Sequence, residues 1–271
     1  MKNKILITGA KGFIGRNLVK ALESEYQIFT FEESDLDRDW KLVLHSIFDE
    51  GIDGVFHVGA CSDTLEQDVN YMMLLNYEVT KYITDLCYEH MIPLVYSSSA
   101  ANYGTNEQYP SNLYGWSKYA GEGYVVSRGG VALRYFNVYG PGEEDKGRMA
   151  SVAYQMYKRY QNGDEIKLFP KKPLRDFVYV EDVILANIYA FENYGLTSGN
   201  WYEVGSGEAR RFEDKMDIMN IPYTYHPEDI IPQGYQFYTC SSKDKWMEGW
   251  KPQYTLEKGL REYIKYLDTL D

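Results

Sequence analysis

Pairs of a tyrosine and a lysine four positions apart recur along the chain, and such a pair can transfer protons. On a helix the two side chains share one face, and an ammonium group beside a phenol stabilises the phenolate. The phenol can then serve as a general acid or base toward an alcohol. Because 27 of the 271 residues are tyrosine, chance alone gives about two such pairs. The chain has four, which are Tyr77/Lys81, Tyr114/Lys118, Tyr154/Lys158 and Tyr254/Lys258.

Only one of these pairs stands in a context that favours catalysis. Tyr114 follows a predicted strand over 94–98, and serines occupy positions 97–99 at the end of that strand. A helix predicted over 111–126 would carry both Tyr114 and Lys118. At the carboxyl edge of a parallel sheet, a serine can hydrogen-bond the reacting oxygen while the tyrosine moves its proton. We therefore predict a catalytic site around Tyr114 and Lys118.

A glycine-rich turn joins the first predicted strand, 4–8, to the first predicted helix, 12–23. Its three glycines permit a tight turn, close approach of a pyrophosphate and close packing of helix on strand. The N-terminus of the helix then offers free N–H groups to the phosphates. The turn therefore predicts a dinucleotide cofactor, NAD or NADP. The residues predicted to bind it are Gly9, Lys11, Gly12, Phe13, Ile14 and Gly15.

The residues that would select between NAD and NADP give opposing signals. Glu32 and Glu33 follow the second predicted strand, and a carboxylate there binds a ribose 2′-OH and repels a 2′-phosphate. Lys11 and Arg16 lie in and after the glycine turn, where they could hold such a phosphate. We predict a cofactor contact from Glu32, and the choice of cofactor stays open.

Strand and helix patterns alternate through most of the chain, and the stretch after 205 is irregular. Strands are predicted at 4–8, 27–31, 54–58, 94–98, 131–135 and 201–204. Helices are predicted at 12–23, 39–49, 68–90, 111–126, 149–161, 180–194 and 256–270. The alternation predicts an α/β fold, a Rossmann-like doubly wound parallel sheet with a smaller C-terminal substrate-binding lobe. We assign 1–140 and 177–205 to the NAD(P)-binding domain, and 141–176 and 206–271 to the lobe.

Composition excludes several classes of partner. The formal net charge of −12 argues against a general binder of nucleic acid or anionic membranes, since such affinity comes from neutralising phosphates. No apolar run approaches the roughly 18 residues that would span a bilayer. The three cysteines, Cys61, Cys87 and Cys240, show neither CxxC spacing nor an even count. This pattern favours a reduced, cytoplasmic location, and we predict no metal site.

Four segments together carry a resemblance to a known family. They are TGAKGFIG at 8–15, SSSAANYG at 97–104, YGWSK at 114–118 and RYFNVYGP at 134–141. Together they resemble the extended short-chain dehydrogenase/reductases of the NAD-dependent epimerase/dehydratase family, which act on nucleotide sugars. Further segments at 57–64, 71–73, 146–152 and 175–180 are similar, more narrowly, to the heptose 6-epimerases within that family.

The resemblance implies roles for individual residues. Tyr114 corresponds to the catalytic base, Ser99 to its hydroxyl partner, and Lys118 to the lysine that binds the nicotinamide ribose. Lys146 corresponds to a second acid/base group on the opposite face of the sugar carbon. Further cofactor contacts are expected from Gly59, Ala60, Asn76 and Val138. Substrate contacts are expected from Ser62, Asn137, Arg148, Arg175 and Tyr235.

The implied reaction is an epimerisation of a nucleoside-diphosphate sugar. NAD or NADP, bound tightly at one per subunit, oxidises a sugar carbon to a carbonyl. The carbonyl then turns over in the pocket and takes the hydride back on its other face. The cycle is redox-neutral, and two proton-handling groups on opposite faces suit it because each epimer presents its hydroxyl to a different side. The family also implies a homo-oligomer.

Departures from the heptose 6-epimerase pattern leave the nucleotide and the sugar open. Arg148 stands where those enzymes have serine, Gln155 where they have histidine, and Gly234 where they have arginine. Residues 171–173 replace part of a longer loop. A nucleotide-sugar 4-epimerase or 4-reductase on the same scaffold is therefore the alternative.

Two other functions are disfavoured by the sequence. In a 4,6-dehydratase an Asp-Glu pair follows the catalytic hydroxyl residue, and this chain has Ala100 and Ala101 there. A catalytically silent dinucleotide sensor is the alternative from a different class. A sensor has no need of the proton-transfer group formed by Ser99, Tyr114 and Lys118.

Overall fold

A computed structural model describes residues 2–105, 108–228 and 236–270 of the chain. Within those residues the strands are short, and we number them in chain order. They are β1 (Lys4–Thr8), β2 (Gln27–Phe31), β3 (Gly54–His57), β4 (Leu94–Ser99), β5 (Val131–Tyr135), β6 (Asn137–Tyr139), β7 (Lys167–Leu168), β8 (Leu174–Tyr179), β9 (Trp201–Val204), β10 (Ala209–Arg211) and β11 (Thr224–Tyr225).

The helices of the described residues connect these strands and continue to the C-terminal end. They are α1 (Phe13–Leu22), α2 (Trp40–Asp49), α3 (Val69–Met73), α4 (Val79–His90), α5 (Leu113–Ser127), α6 (Val152–Gln161), α7 (Val180–Glu192), α8 (Tyr194–Thr197), α9 (Phe212–Met219) and α10 (Leu256–Leu267). A π-helical turn, Leu74–Glu78, joins α3 to α4, so the helix predicted over 68–90 is continuous but locally widened.

The central sheet has the order β2-β1-β3-β4-β5-β9 in the described chain, and every neighbouring pair is parallel. From β1 the chain first crosses to β2 on one side, and β3 then starts the other half of the sheet. The carboxyl ends of β1 and β3 therefore form the topological switch point, where ligands of such sheets bind. Thr8 marks this point, because it pairs with Phe31 on one side and with His57 on the other.

Helices cover both faces of the sheet. Ile5 and Ile7 of β1 pack in one buried cluster with α1 and α7, whereas Leu6 packs in another with α2, α4 and α5. The alternation follows from the period of two along a strand, which directs successive side chains to opposite faces. The predicted α/β, Rossmann-like, doubly wound parallel sheet is confirmed.

A second, smaller sheet and a third core lie at the carboxyl edge of the central sheet. In this second sheet β8 pairs in parallel with β6 and antiparallel with β10. Tyr139 of β6 and Phe177 of β8 contribute to the third core. Residues of α6, α9 and α10 complete it, among them Met216 and Tyr263. All strands of the central sheet lie within 1–140 and 177–205, but β6 belongs to the second sheet. The division into two domains stays a prediction.

The expectation of irregular structure between 205 and the terminal helix is wrong. That stretch contains β10, α9 and β11, and α9 buries Met216 completely. The helical spacing of α9 is hidden because Lys215, a charged residue, is also buried in it. The sequence analysis likewise missed β8, because Arg175 and Asp176 interrupt its apolar run although both are buried.

Candidate cofactor and catalytic site

A single cavity of about 750 Å³ runs along the carboxyl edge of the central sheet toward the second sheet. It collects most of the residues that the sequence analysis predicted as a site. Those that line it are Gly9, Lys11, Gly12, Phe13, Ile14, Gly15, Glu32, Gly59, Ala60, Ser62, Ser99, Tyr114, Lys118, Asn137, Val138 and Lys146. Residues distant in sequence, such as Gly9, Val58 and Lys146, thus face one space.

The glycine turn is shaped by backbone contacts that leave no room for side chains. Gly9 has φ +62°, and a Cβ atom there would lie 2.6 Å from Gly59 Cα. A Cβ at Gly15 would lie 2.1 Å from the carbonyl oxygen of Gly9, so α1 packs directly on the turn. Gly12 precedes α1 and lines the cavity. The first N–H groups of a helix have no partner inside it, so this arrangement fits the pyrophosphate of a dinucleotide.

Buried side chains fix the two sides of the switch point to each other. Thr8 Oγ1 accepts a hydrogen bond from the Gly59 N–H at 2.9 Å and lies 2.7 Å from His57 Nδ1. His57 Nε2 lies 2.8 Å from Thr80 Oγ1 on α4. Burial, reinforced by the charge of Lys118, lowers the pKa of His57 to about 3. The imidazole is therefore neutral and acts as a structural link.

The proton-transfer group forms where β4 ends and α5 begins. Asn112 caps α5 by accepting the Gly115 N–H at 2.8 Å, which sets Tyr114 in the first turn of the helix. Tyr114 lines the cavity together with Ser99, which lies at the end of β4. Burial raises the pKa of the Tyr114 phenol, and the nearby Ser99 hydroxyl acts in the opposite direction.

Lys118 lies one turn further along α5, with 2% of its surface exposed. Its Nζ is 4.5 Å from the centre of the Tyr96 ring. Burial lowers the pKa of Lys118 to about 7, and the charge of Glu122 opposes that shift. When it is protonated, Lys118 is a cation on the same helix face as Tyr114, where it favours the phenolate.

A buried network beneath Lys118 escaped the sequence analysis. Glu122 forms a two-point ion pair with Arg134 of β5, with Nε 2.8 Å from Oε2. The same carboxylate accepts hydrogen bonds from Ser98 Oγ at 2.6 Å and from Asn102 Nδ2 at 3.0 Å. The guanidinium of Arg134 also lies 3.6 Å from the centre of the Trp201 ring. The position of Glu122, four residues after Lys118, is the signal that could have indicated this network.

Lys146 approaches the cavity from the segment that follows β6. It is half-buried, and its Nζ lies 5.2 Å from the centre of the Phe13 ring at the start of α1. Burial lowers the pKa of Lys146, and the buried carboxylate of Glu143 opposes this effect. The next residue, Gly147, has φ +52°, a conformation that favours glycine.

Three predicted contacts among the described residues, Asn76, Arg148 and Arg175, do not line the cavity. Asn76, in the π-helical turn, instead bonds the backbone N–H of Cys61 at 2.8 Å and its carbonyl oxygen at 2.9 Å. Arg148 is exposed and forms an ion pair with Asp63. Arg175 donates to the carbonyl oxygens of Leu174, at 2.9 Å, and of Gln236. Tyr235, like Gly234, lies outside the described residues, and all four contacts stay predictions.

Three further residues line the cavity from the second sheet and α9, and the sequence analysis did not select them. They are Phe177, Phe212 and Lys215. Lys215 is 1% exposed, and burial lowers its pKa to about 7. No sequence signal pointed to it, because α9 itself was not predicted.

A doubly wound parallel sheet, a glycine turn at its switch point and a Ser-Tyr-Lys group in the same cavity define an enzyme of the short-chain dehydrogenase/reductase type. Comparison with known families agrees. The sequence pattern of the NAD dependent epimerase/dehydratase family matches residues 5–205, and the chain belongs to that family.

Several known proteins are similar to the chain over nearly their full lengths. An ADP-L-glycero-D-manno-heptose-6-epimerase of Brachyspira hyodysenteriae is 33% identical, with 97% of this chain and 98% of the relative covered. The crystal structure of the Helicobacter pylori enzyme of that name superposes with a TM-score of 0.85 at 27% identity, covering 98% and 96%. That of a Thermotoga maritima UDP-glucose 4-epimerase with UDP-glucose gives 0.87 at 25%, covering 99% and 100%.

Proposed function

We propose that this protein is a nucleotide-sugar epimerase of the ADP-heptose 6-epimerase type. The observation that carries the proposal is that Ser99, Tyr114 and Lys118 line one cavity together with the glycine turn. A proton-transfer group beside a dinucleotide site serves hydride chemistry on an alcohol. The 33% identity to a heptose 6-epimerase along nearly the whole chain supports the choice of substrate class.

Each residue of the site has a defined task in this proposal. When bound, the nicotinamide cofactor supplies a reversible hydride acceptor. Tyr114 takes the proton of the sugar hydroxyl, and Ser99 holds the oxygen of that hydroxyl. Lys118 binds the nicotinamide ribose and favours the phenolate of Tyr114 through its charge. Lys146, on a different wall of the cavity, handles the proton of the opposite epimer.

The assembly and location of the enzyme belong to the same proposal. We propose a homo-oligomer in the cytoplasm. Cys61, Cys87 and Cys240 all have free thiols, which suits a reducing compartment. Across the described ranges, no helix has both the length and the apolar character needed to cross a membrane.

The test is turnover of a panel of nucleotide sugars. The purified, NAD-loaded protein is incubated with ADP-heptose and with UDP-, GDP- and dTDP-hexoses, and NMR identifies any carbon whose configuration changes. We expect inversion at C6 of ADP-heptose without net reduction of cofactor. Exclusive inversion at C4 of a hexose would replace the proposal by the 4-epimerase alternative, which the likeness to a UDP-glucose 4-epimerase supports. Binding without any turnover would leave the dinucleotide sensor.

We further propose that NAD is the preferred cofactor. Glu32 lines the cavity at the end of β2, where its carboxylate lies 3.3 Å from the Lys11 N–H. A carboxylate there repels a 2′-phosphate. Arg16, which could have attracted that phosphate, is engaged elsewhere, with the Lys11 carbonyl oxygen and Asp145 both at 2.8 Å.

The preference predicts a binding difference that calorimetry can measure. We expect NAD⁺ to bind at least about tenfold tighter than NADP⁺, which corresponds to roughly 1.4 kcal/mol. Glu32→Gln should narrow that ratio, because it removes the repulsive charge and keeps the size of the side chain. The exposed Glu89 on α4 supplies the control, and Glu89→Gln should leave the ratio unchanged. Equal affinities of the native protein for both cofactors would contradict the preference.

A further inference from the structure

Lys215 is a buried residue that lines the cavity. It lies on α9, and Phe177 of β8 and Phe212 line the cavity beside it. Its Nζ is 3.6 Å from the centre of the Phe177 ring and 5.1 Å from that of Tyr139. The aromatic faces attract the ammonium group, but they cannot neutralise its charge.

Glu143 is the acidic residue whose charge acts on Lys215, but the two side chains do not form an ion pair. The Glu143 carboxylate accepts hydrogen bonds from Gly140 N–H at 3.2 Å, from Ser151 Oγ and Tyr263 OH at 2.8 Å each, and from the Ser151 N–H. Three of these donors bond Oε1 and the Ser151 N–H bonds Oε2, so the four together hold the Glu143 carboxylate in place. In the described parts of the chain, no carboxylate lies within 4.0 Å of Lys215 Nζ.

Burial without a paired anion has a measurable consequence for this lysine. The pKa of Lys215 falls to about 7, because burial disfavours the charged form, and the charge of Glu143 only partly opposes the shift. An anion entering the cavity would favour the ammonium form instead. An anionic ligand in the cavity would therefore supply the negative partner that Lys215 lacks among the described residues.

We propose that Lys215 is a substrate-binding residue that recognises an anionic oxygen group of the nucleotide sugar, either its diphosphate or a carboxylate on its sugar. This inference rests on the proposed function for the class of ligand. Substrate is favoured over cofactor because the contacts of Lys215 are with β6, β8 and the segment after β6. None of these contacts within the described residues involves the glycine turn.

The experiment uses the NAD-loaded protein, so that the cofactor site is filled, and two anionic probes. Inorganic pyrophosphate represents the diphosphate, and D-glucuronate, with D-glucose as its neutral counterpart, represents a sugar carboxylate. Calorimetry at pH 6.5, where Lys215 is mostly protonated, compares the native protein with Lys215→Met and Lys215→Arg. We expect at least one probe to bind about tenfold more weakly to Lys215→Met, and Lys215→Arg to retain most of the affinity.

The pattern of losses identifies the anionic group. If Lys215→Met loses affinity for pyrophosphate alone, Lys215 recognises the diphosphate. If it loses affinity for glucuronate alone, Lys215 recognises a carboxylate. Equal binding of both probes to native protein and Lys215→Met, or no binding of either to the native protein, overturns the proposal. The assay needs no turnover, so its result is independent of whether the panel of nucleotide sugars shows epimerisation.

Matched variants separate binding from folding. Lys215→Met should keep or raise Tm, since it removes a buried charge and preserves the length of the side chain. Lys251→Met, at an exposed lysine, should change neither Tm nor the affinity for either probe. If a probe binds Lys215→Met more weakly while Tm and NAD⁺ affinity are unchanged, the lost affinity can be assigned to the missing ammonium group.

Discussion

Replacement of Tyr114 by phenylalanine should lower kcat about 10²- to 10⁴-fold, the range expected for loss of a positioned general acid or base. Tyr114 is half-buried in the first turn of α5 and lines the cavity together with Ser99. The change removes a single oxygen atom, so the packing of the ring is preserved. The measurement is the initial rate of epimerisation of the best substrate from the panel, with the protein saturated in NAD⁺. Cofactor affinity should remain close to that of the native protein.

A second tyrosine with the same sequence spacing provides the control. Tyr254 also precedes a lysine by four residues, and Lys258 Nζ lies 3.8 Å from the centre of its ring. Its phenol donates to Glu181 at 2.7 Å, and neither residue of the pair lines the cavity. Tyr254→Phe should therefore retain full kcat. A Tyr114→Phe variant that keeps more than a tenth of the native kcat would show that another group moves the proton.

The second large effect is expected on stability, from Glu122→Gln. The substitution leaves the Arg134 guanidinium buried opposite a neutral group, and breaking a buried pair on one side costs about 3 kcal/mol or more. For a chain of this size, that corresponds to a fall in Tm of roughly 6–12 °C. It also removes the charge that opposes burial at Lys118, so the pKa of Lys118 should fall below its native value. Urea unfolding and thermal scans measure the loss.

Two comparisons test whether the buried pair is the cause. The double variant Glu122→Gln/Arg134→Met should be less destabilised than the sum of its single changes, because neither charge is then left unpaired. The exposed pair Glu262–Lys265, at 2.9 Å, supplies the surface control, and Glu262→Gln should cost less than about 0.5 kcal/mol. A loss below about 1 kcal/mol for Glu122→Gln would contradict a stabilising role for this pair.

The fold was predictable where each segment has a strong period and a clear boundary. The first five strands of the central sheet are short and mostly apolar, and three of them (β1, β3 and β4) lead into glycine or end in serine. The helices between them carry apolar residues every three or four positions. The order of elements then restricts the topology, because parallel strands need crossover helices. The Ser99, Tyr114 and Lys118 group followed from its position after one strand.

The rest of the site depends on contacts between residues distant in sequence. Lys215 reaches the cavity from α9, which was not predicted because its buried face includes a lysine. Arg148 was expected to contact substrate, and in the structure its guanidinium pairs with Asp63 on another loop. Pairing of this kind is decided by tertiary packing and leaves no periodic trace in the sequence.

The link between Thr8, His57 and Thr80 has a consequence for how acidity acts on the enzyme. Histidine is the side chain that most often converts a change near neutral pH into movement, but a pKa of about 3 keeps His57 uncharged far below that range. The two strand ends at the predicted cofactor site thus keep their geometry while Lys118 gains or loses its proton near pH 7. A pH change near 7 should therefore alter the charge of Lys118 without moving the strand ends at the predicted cofactor site.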